Sequence, residues 1–252
     1  ICWQTTTPSI RTAMSEQQPV EMKFYDHIGV AEGLVTEEFC NILINAFEHW
    51  NKLKYVKEDC YKGGDYSLNT FGDGEEQFSN GLMGRKDQGI YLEVSDPGLA
   101  AQVNQALGQA FEMYAKEYQG ILDSADPVSS WTCKLQKTQP GGGYHVWHCE
   151  NGSFMYRDRV LTWMIYLNDI PPENGGGTDF LYQKKTFHPT RGTVVLWPAC
   201  YTHMHRGAFL TGEKDKYICT GWFIREPGTI SNKIIGQSLG EVSDETKLNN
   251  RD

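Results

Sequence analysis

RVLTWMIYLN, residues 159–168, is dominated by β-branched, aromatic and aliphatic side chains, and Thr162, Met164 and Tyr166 fall on one face of an extended chain. It reads as a strand, and it has company. WTCKLQKTQ (131–139), YHVWHCE (144–150), TDFLYQ (178–183), KTFHP (185–189), GTVVLWPA (192–199), THMHRGAF (202–209) and KYICTGWFI (216–224) carry the same texture. They are broken by PGGG, PPENGGG, PTRG and TGEKD, all turn-forming. Eight short strands this closely spaced argue for a sandwich or barrel-like jelly roll and against a parallel sheet.

Upstream, the texture is helical. Thr36 is placed to cap a helix in which Phe39, Leu43, Ile44 and Phe47 share a face. DPGLAAQVNQALGQAFEMYAKEYQ sets Pro97 in a first turn and repeats Leu99, Val103, Leu107, Phe111 and Tyr114 as an apolar stripe. EMKFYDHIGV (21–30) resembles a short strand. Asp59 to Gly89 is so rich in Gly, Asp, Asn and Ser that regular structure is not expected there, and its glycine-rich part, 62–84, is a candidate lid. Residues 1–20 read as a loose tail, with Met14 as a natural start, and 229–252 as a polar, frayed end. One domain is expected over 21–228, with helical support in 21–130 and the β core in 131–228.

The chain has 252 residues, 39% of them hydrophobic, enough to bury a real core. Its formal charge of −9 disfavours phosphate backbones and anionic membrane surfaces, so no nucleic-acid or membrane partner is expected. No run of about 18 apolar residues and no basic-then-apolar leader occurs, so neither a membrane span nor a signal peptide is expected. The seven cysteines are odd in number and form no CxxC pair, which points to reduced thiols in the cytoplasm or another reducing compartment.

The chemistry begins at His148 and Glu150. In an extended chain, positions i and i+2 point the same way, so this H-x-E pair offers an imidazole nitrogen and a carboxylate oxygen side by side. A second histidine would complete a two-histidine, one-carboxylate metal site. His203 and His205 lie late in the β-rich part and share a strand face, so parity does not choose between them. His27, His49 and His188 read as structural. His145, at odd spacing from His148, is a candidate on the substrate side, as are Trp147 and Arg159. Lys216 shares a face with Ile218, Thr220 and Trp222; a buried ammonium there needs an anion, and a dicarboxylate would supply one. Zinc hydrolysis suits the same ligand types but leaves Lys216 and Tyr166 unused and lacks an H-E-x-x-H helix.

Taken in order, Tyr144, His148-x-Glu150, Arg159-x-x-Thr162-x-x-x-Tyr166-Leu-Asn, Gly-Gly-Gly-Thr (175–178), Pro189-x-x-Gly192, His205 and Lys216-Tyr217 to Trp222 resemble the 2-oxoglutarate- and iron(II)-dependent dioxygenases, in their prolyl 4-hydroxylase-like branch. The resemblance is detailed over about 131–225. It implies an α+β, mainly β fold, a double-stranded β-helix (jelly roll) with supporting N-terminal helices. It further implies His148, Glu150 and His205 as iron ligands and catalytic residues. His205 is preferred over His203 because Arg-Gly follow it and Lys216 has the right spacing. Lys216 would pair with the distal carboxylate of 2-oxoglutarate, with Tyr166 and Thr220 bonding to it. The implied cofactors are Fe(II), 2-oxoglutarate and O2, with ascorbate as an accessory. The implied partner is a peptide or small molecule, with peptidyl proline the first candidate. The alternative is a metal- and 2-oxoglutarate-binding module with weak or no turnover. Two features depart from the family pattern: Glu150 stands where Asp is usual, and Tyr144 to His148 is one residue longer, with His145 in the gap.

Overall fold

The computed structural model describes residues 20–62, 83–123 and 126–226. The chain opens with a hairpin, β1 (Met22–Tyr25) and β2 (Ile28–Ala31), turned by Asp26 and His27, both at positive φ (47° and 64°). That conformation suits a two-residue turn of the kind that matches strand twist. Helix α1 (Glu37–Lys52) starts where expected, with Thr36 Oγ1 accepting from Phe39 N at 3.2 Å. After β3 (Lys57–Lys62), β4 (Met83–Tyr91) and a short α2 (Leu92–Ser95) comes α3 (Pro97–Glu117), capped by Asp96. The remaining strands are β5 (Val128–Thr138), β6 (Gly143–Tyr144), β7 (Arg159–Tyr166), β8 (Thr178–Phe180), β9 (Lys185–Phe187), β10 (Val194–Pro198), β11 (His205–Gly207) and β12 (Lys216–Arg225).

Two antiparallel sheets form. The larger runs β1-β2-β10-β7-β12-β5-β4-β3, with β6 beside β4; the smaller runs β11-β8-β9. This is a double-stranded β-helix. The period-2 pattern of β7 decides what each face of the large sheet does. Leu161, Trp163 and Ile165 pack outward against α1 and α3, where Leu43, Phe47, Leu99, Val103 and Leu107 close the main core. Thr162 and Met164 point into a cavity between the sheets, and Tyr166 joins a second cluster with Val195, Trp197 and Phe180. Burying each large apolar side chain contributes about 1.5–3 kcal/mol, so the helices fix the outer face and leave the inner one free to be polar.

Three local expectations change. The Asp59–Gly89 segment was expected to lack regular structure, yet β3 and β4 occupy its two ends; β4 pairs with β5 from Gln88↔Lys137 to Tyr91↔Lys134. Main-chain pairing with a strong central strand overrides weak local propensity. The middle of the candidate lid, 63–82, lies outside the described residues. YHVWHCE is no strand: only Tyr144 belongs to β6, and His148 makes a lone bridge to His205. THMHRGAF splits into a 3-10 turn at Tyr201–His203 and the short β11.

Among the described residues, no helix is long and apolar enough to cross a membrane. Cys40, Cys133 and Cys219 are buried as free thiols in the main core.

Candidate metal centre

His148 and His205 come together through their main chains. His148 N donates to His205 O at 3.0 Å, and His205 N donates back to His148 O at 2.9 Å. Glu150 N is tied to Ala199 O at 2.8 Å, beside the end of β10. These bonds bring three side chains to one point: Glu150 Oε1 lies 3.3 Å from His148 Nε2 and 3.4 Å from His205 Nε2. His203 is elsewhere. Its Nε2 donates to Asp26 O (2.8 Å) at the β1–β2 turn, and its Nδ1 faces Thr202 Oγ1 (2.9 Å). The 3-10 turn rotates His203 away from the face that His205 keeps.

The tautomers of the two converging rings follow from their other bonds. His148 Nδ1 sits 2.8 Å from Val146 O and His205 Nδ1 2.9 Å from His203 O. A carbonyl only accepts, so each Nδ1 carries a proton, and each Nε2 is the ring nitrogen left to offer a lone pair to a metal beside Glu150. Burial, with His148 adding to it, lowers the His205 pKa and keeps that ring neutral. Two lone pairs facing a carboxylate at such distances repel one another; a cation among them turns every contact into an attraction. The three donor atoms lie within 4.8 Å of one another, and the set fits a divalent metal.

The triad sits in a cavity of about 470 Å³ whose walls also carry Arg85, Asp87, Lys134, Thr162, Met164, Trp197 and Lys216. Lys216 is 6% exposed, and burial lowers its pKa to about 8, against the weaker pull of Asp87 and Asp179. Its ammonium lies 5.6 Å from the centre of the Tyr166 ring. Among the described residues it forms no salt bridge, so the cavity holds a charge in need of an anion.

Residues 133–224 match the sequence profile of the 2OG-Fe(II) oxygenase superfamily. Over that stretch, which is less than half of the chain, the sequence is similar to that superfamily. No curated protein sequence matches the chain. Among solved structures, a viral collagen prolyl hydroxylase from Paramecium bursaria Chlorella virus-1, in complex with 2OG, superposes with a TM-score of 0.55 at 16% identity. The match covers 80% of this chain and 97% of that one. A Pseudomonas putida prolyl-4-hydroxylase gives 0.55 at 15% identity, covering 79% and 93%. A Trichoplax adhaerens prolyl hydroxylase bound to a hypoxia inducible factor peptide fragment gives 0.54 at 16%, covering 79% and 84%. At such identities the likeness is one of fold.

The other expected site residues divide. Thr220 lines the cavity, but its hydroxyl donates to Trp163 O at 2.7 Å. Tyr166 is fully buried behind the wall; its hydroxyl bonds to Thr178 Oγ1 (2.7 Å) and Phe187 O (3.1 Å), and its ring faces Lys216. Arg159 lines the cavity and reaches Glu150 Oε2 at 3.0 Å. His145 and Trp147 lie outside the cavity lining. His145 packs against Phe209 with Nδ1 2.9 Å from Gly207 O, and Trp147 carries Arg206 over its ring.

Tyr144 belongs to the quoted motif set but was given no role, and Arg85, Asp87 and Gln136 were not anticipated in the wall. Tyr144 stacks on His148 at 3.9 Å and 16°, with Arg85 over its other face at 4.7 Å. Arg85 is held by Asp87 (2.7 Å), which also accepts from Gln136 (3.0 Å). Arg85 and Asp87 come from β4, where composition gave no strand signal, so nothing local to their sequence aimed them inward. Trp222 was legible as a cavity-facing residue of β12; its bond to Glu150 Oε2 (2.9 Å) was not.

Proposed function

We propose that this chain is an Fe(II)- and 2-oxoglutarate-dependent oxygenase that hydroxylates a carbon of a peptide, with a peptidyl proline as the preferred target. His148, Glu150 and His205 would hold the metal. The observation that carries the reading is the convergence of two Nε2 atoms on one carboxylate oxygen, in the same cavity as a buried Lys216 that forms no salt bridge among the described residues. When bound, iron with 2-oxoglutarate and O2 supplies the oxidation of a C–H bond to C–OH as the cosubstrate becomes succinate and CO2, with ascorbate as an accessory reductant.

The protein's own part is binding and exclusion. Lys216 receives the distal carboxylate of 2-oxoglutarate and relieves its own buried charge, while the Tyr166 ring fixes the ammonium from below. Val146 O and His203 O hold the two imidazoles in the tautomer a metal requires. Trp197, at 5.0 Å from the His205 ring, and Met164 keep that side of the cavity apolar. A peptide target is supported by the fold shared with prolyl hydroxylases, one of them bound to a peptide fragment.

The test is turnover: purified protein with Fe(II), 2-oxoglutarate and proline-containing peptides should form succinate together with a product heavier by one oxygen, and His148→Ala should abolish both. One observation favours the alternative of binding without efficient turnover. Glu150 is longer than the usual aspartate, and its outer oxygen is already engaged by Arg159 and Trp222. Metal-dependent 2-oxoglutarate binding without succinate formation, across a broad peptide panel, would select that reading.

A further inference from the structure

The geometry points to Arg159 and Trp222 as positioning residues that make Glu150 a one-oxygen metal ligand. The inference rests on the triad being a metal site, as proposed above.

A glutamate is a demanding choice for this position. It has one more methylene than aspartate and one more rotatable bond, and ordering such a side chain has an entropic cost. Left free, its carboxylate could offer either oxygen, both, or neither. The structure removes that freedom from the outer side. Glu150 Oε2 accepts from Arg159 Nη1 at 3.0 Å and from Trp222 Nε1 at 2.9 Å. The same Nη1 also donates to the main-chain oxygen of Glu150 at 3.2 Å, so one guanidinium nitrogen holds both the backbone and the carboxylate of this residue. The extra methylene is thereby folded back along the chain.

The clamp is itself rigid. The Arg159 guanidinium lies 3.4 Å from the centre of the Trp222 ring and 4.0 Å from that of Tyr156. Arg159 opens β7 and Trp222 sits on β12, and the two strands pair directly, Trp222↔Thr162. Both donors therefore come from the large sheet. The carboxylate divides its work: Oε2 belongs to the clamp, and Oε1 alone faces the two Nε2 atoms. Turning the carboxylate to present Oε2 inward would break two bonds, one of them charge-assisted.

Two consequences separate this from a generic structural role. Shortening Glu150 to the aspartate usual in the family should not improve the site, because the shorter side chain cannot reach both the clamp and the rings. The clamp should also matter only to the longer residue: Arg159→Ala should weaken metal binding in the Glu150 background and barely affect it in the Glu150→Asp background.

The experiment is cobalt(II) titration under nitrogen, without 2-oxoglutarate, read by visible absorption and by calorimetry. It is run on the full chain and on the Arg159→Ala, Trp222→Phe, Glu150→Asp, Arg159→Ala/Glu150→Asp and His148→Ala variants. Loss of an outer partner of a metal ligand typically costs about 10–100-fold in affinity, and that range is expected for Arg159→Ala, with a smaller loss for Trp222→Phe. A changed cobalt band shape should accompany it, as Glu150 leaves or binds through two oxygens. Thermal melts of the metal-free proteins report folding. If Arg159→Ala does not fold, Trp222→Phe, which keeps the ring and removes only the N–H, decides alone. Unchanged cobalt affinity and spectrum in the clamp variants, with cobalt lost in His148→Ala, overturns the clamp and leaves the metal site standing. Cobalt binding unaffected by His148→Ala would instead defeat the metal site itself.

Discussion

His148 and His205 are joined by two reciprocal main-chain hydrogen bonds, 3.0 and 2.9 Å, although neither lies in a strand that pairs with the other. The bridge belongs to the backbone, so it survives replacement of either side chain. Stability of the metal-free protein and capacity for metal can therefore be separated.

The first prediction follows. A ligand at about a hundred times its Kd stabilises the native state by about 2.7 kcal/mol, or roughly 5–10 °C for a chain of this size. Divalent metal should raise the Tm of the wild-type protein by that amount. His148→Ala and His205→Ala should each melt cleanly yet show no metal-induced shift, as read by scanning fluorimetry with and without metal. A full shift in either variant would remove that residue from the metal set.

His203 gives the matching contrast. It is 3% exposed and spends its Nε2 on Asp26 O, where the β1–β2 hairpin turns. His203→Ala should lower stability by about 1–3 kcal/mol, the cost of a buried carbonyl left without its donor, and leave the metal-induced Tm shift intact. Denaturant melts and the same fluorimetry assay test both halves; loss of the metal shift would mean that the histidines had been assigned the wrong way round.

These two histidines also mark where sequence reasoning stops. Strand parity put Thr162, Met164 and Tyr166 on one face and Lys216, Ile218, Thr220 and Trp222 on another; all of these line the cavity except Tyr166, whose hydroxyl is bonded behind the wall to Thr178 and Phe187. Parity could not separate His203 from His205, because His203 ends a 3-10 turn and only His205 begins a strand, so strand logic does not apply across the pair. The same limit holds at YHVWHCE, which keeps His148 and Glu150 on one side without being a strand. What resolves both cases is a tertiary contact. The Glu150–Trp222 bond spans 72 positions, and no local pattern announces it. Strands β3 and β4, with Arg85 and Asp87, were hidden for a related reason: their acids and the glycines of β4 are poor strand formers alone, and pairing of β4 with β5, and of β3 with β4, supplies what composition lacks.

Gly221 carries a prediction about the wall itself. A Cβ there would lie 1.8 Å from Thr132 O and 2.6 Å from Trp163 Cζ2, at a break in register between β12 and β5. Backbone on one side and a fully buried indole on the other leave nothing free to move. Gly221→Ala should cost at least the roughly 1–3 kcal/mol of ordinary overpacking and should also weaken metal binding, because Trp222 shifts with it. Denaturant unfolding with parallel metal titration tests this; a variant as stable as wild type would mean that the bulge can relax.

Lys216 ties stability to function with opposite signs. Its pKa falls from 10.5 to about 8 because burial penalises the ammonium. A depressed lysine binds fewer protons folded than unfolded, so its cost is full below pH 8 and fades as pH rises toward 10.5. At 1.36 kcal/mol per pH unit the gap amounts to about 3 kcal/mol, and Lys216→Met, which keeps the volume, should stabilise the unliganded protein at pH 7 by up to that amount. Binding a dicarboxylate requires the charged form. In manganese-loaded wild type, 2-oxoglutarate affinity should therefore be constant below about pH 8 and fall roughly tenfold per unit above it. Lys216→Met should bind about 10–100-fold more weakly at pH 7, as expected for loss of a charge-assisted contact, and without that pH dependence. Calorimetry from pH 6.5 to 9.5 on both proteins measures it. A stabilised variant that still binds 2-oxoglutarate normally would show that the buried ammonium serves some other anion.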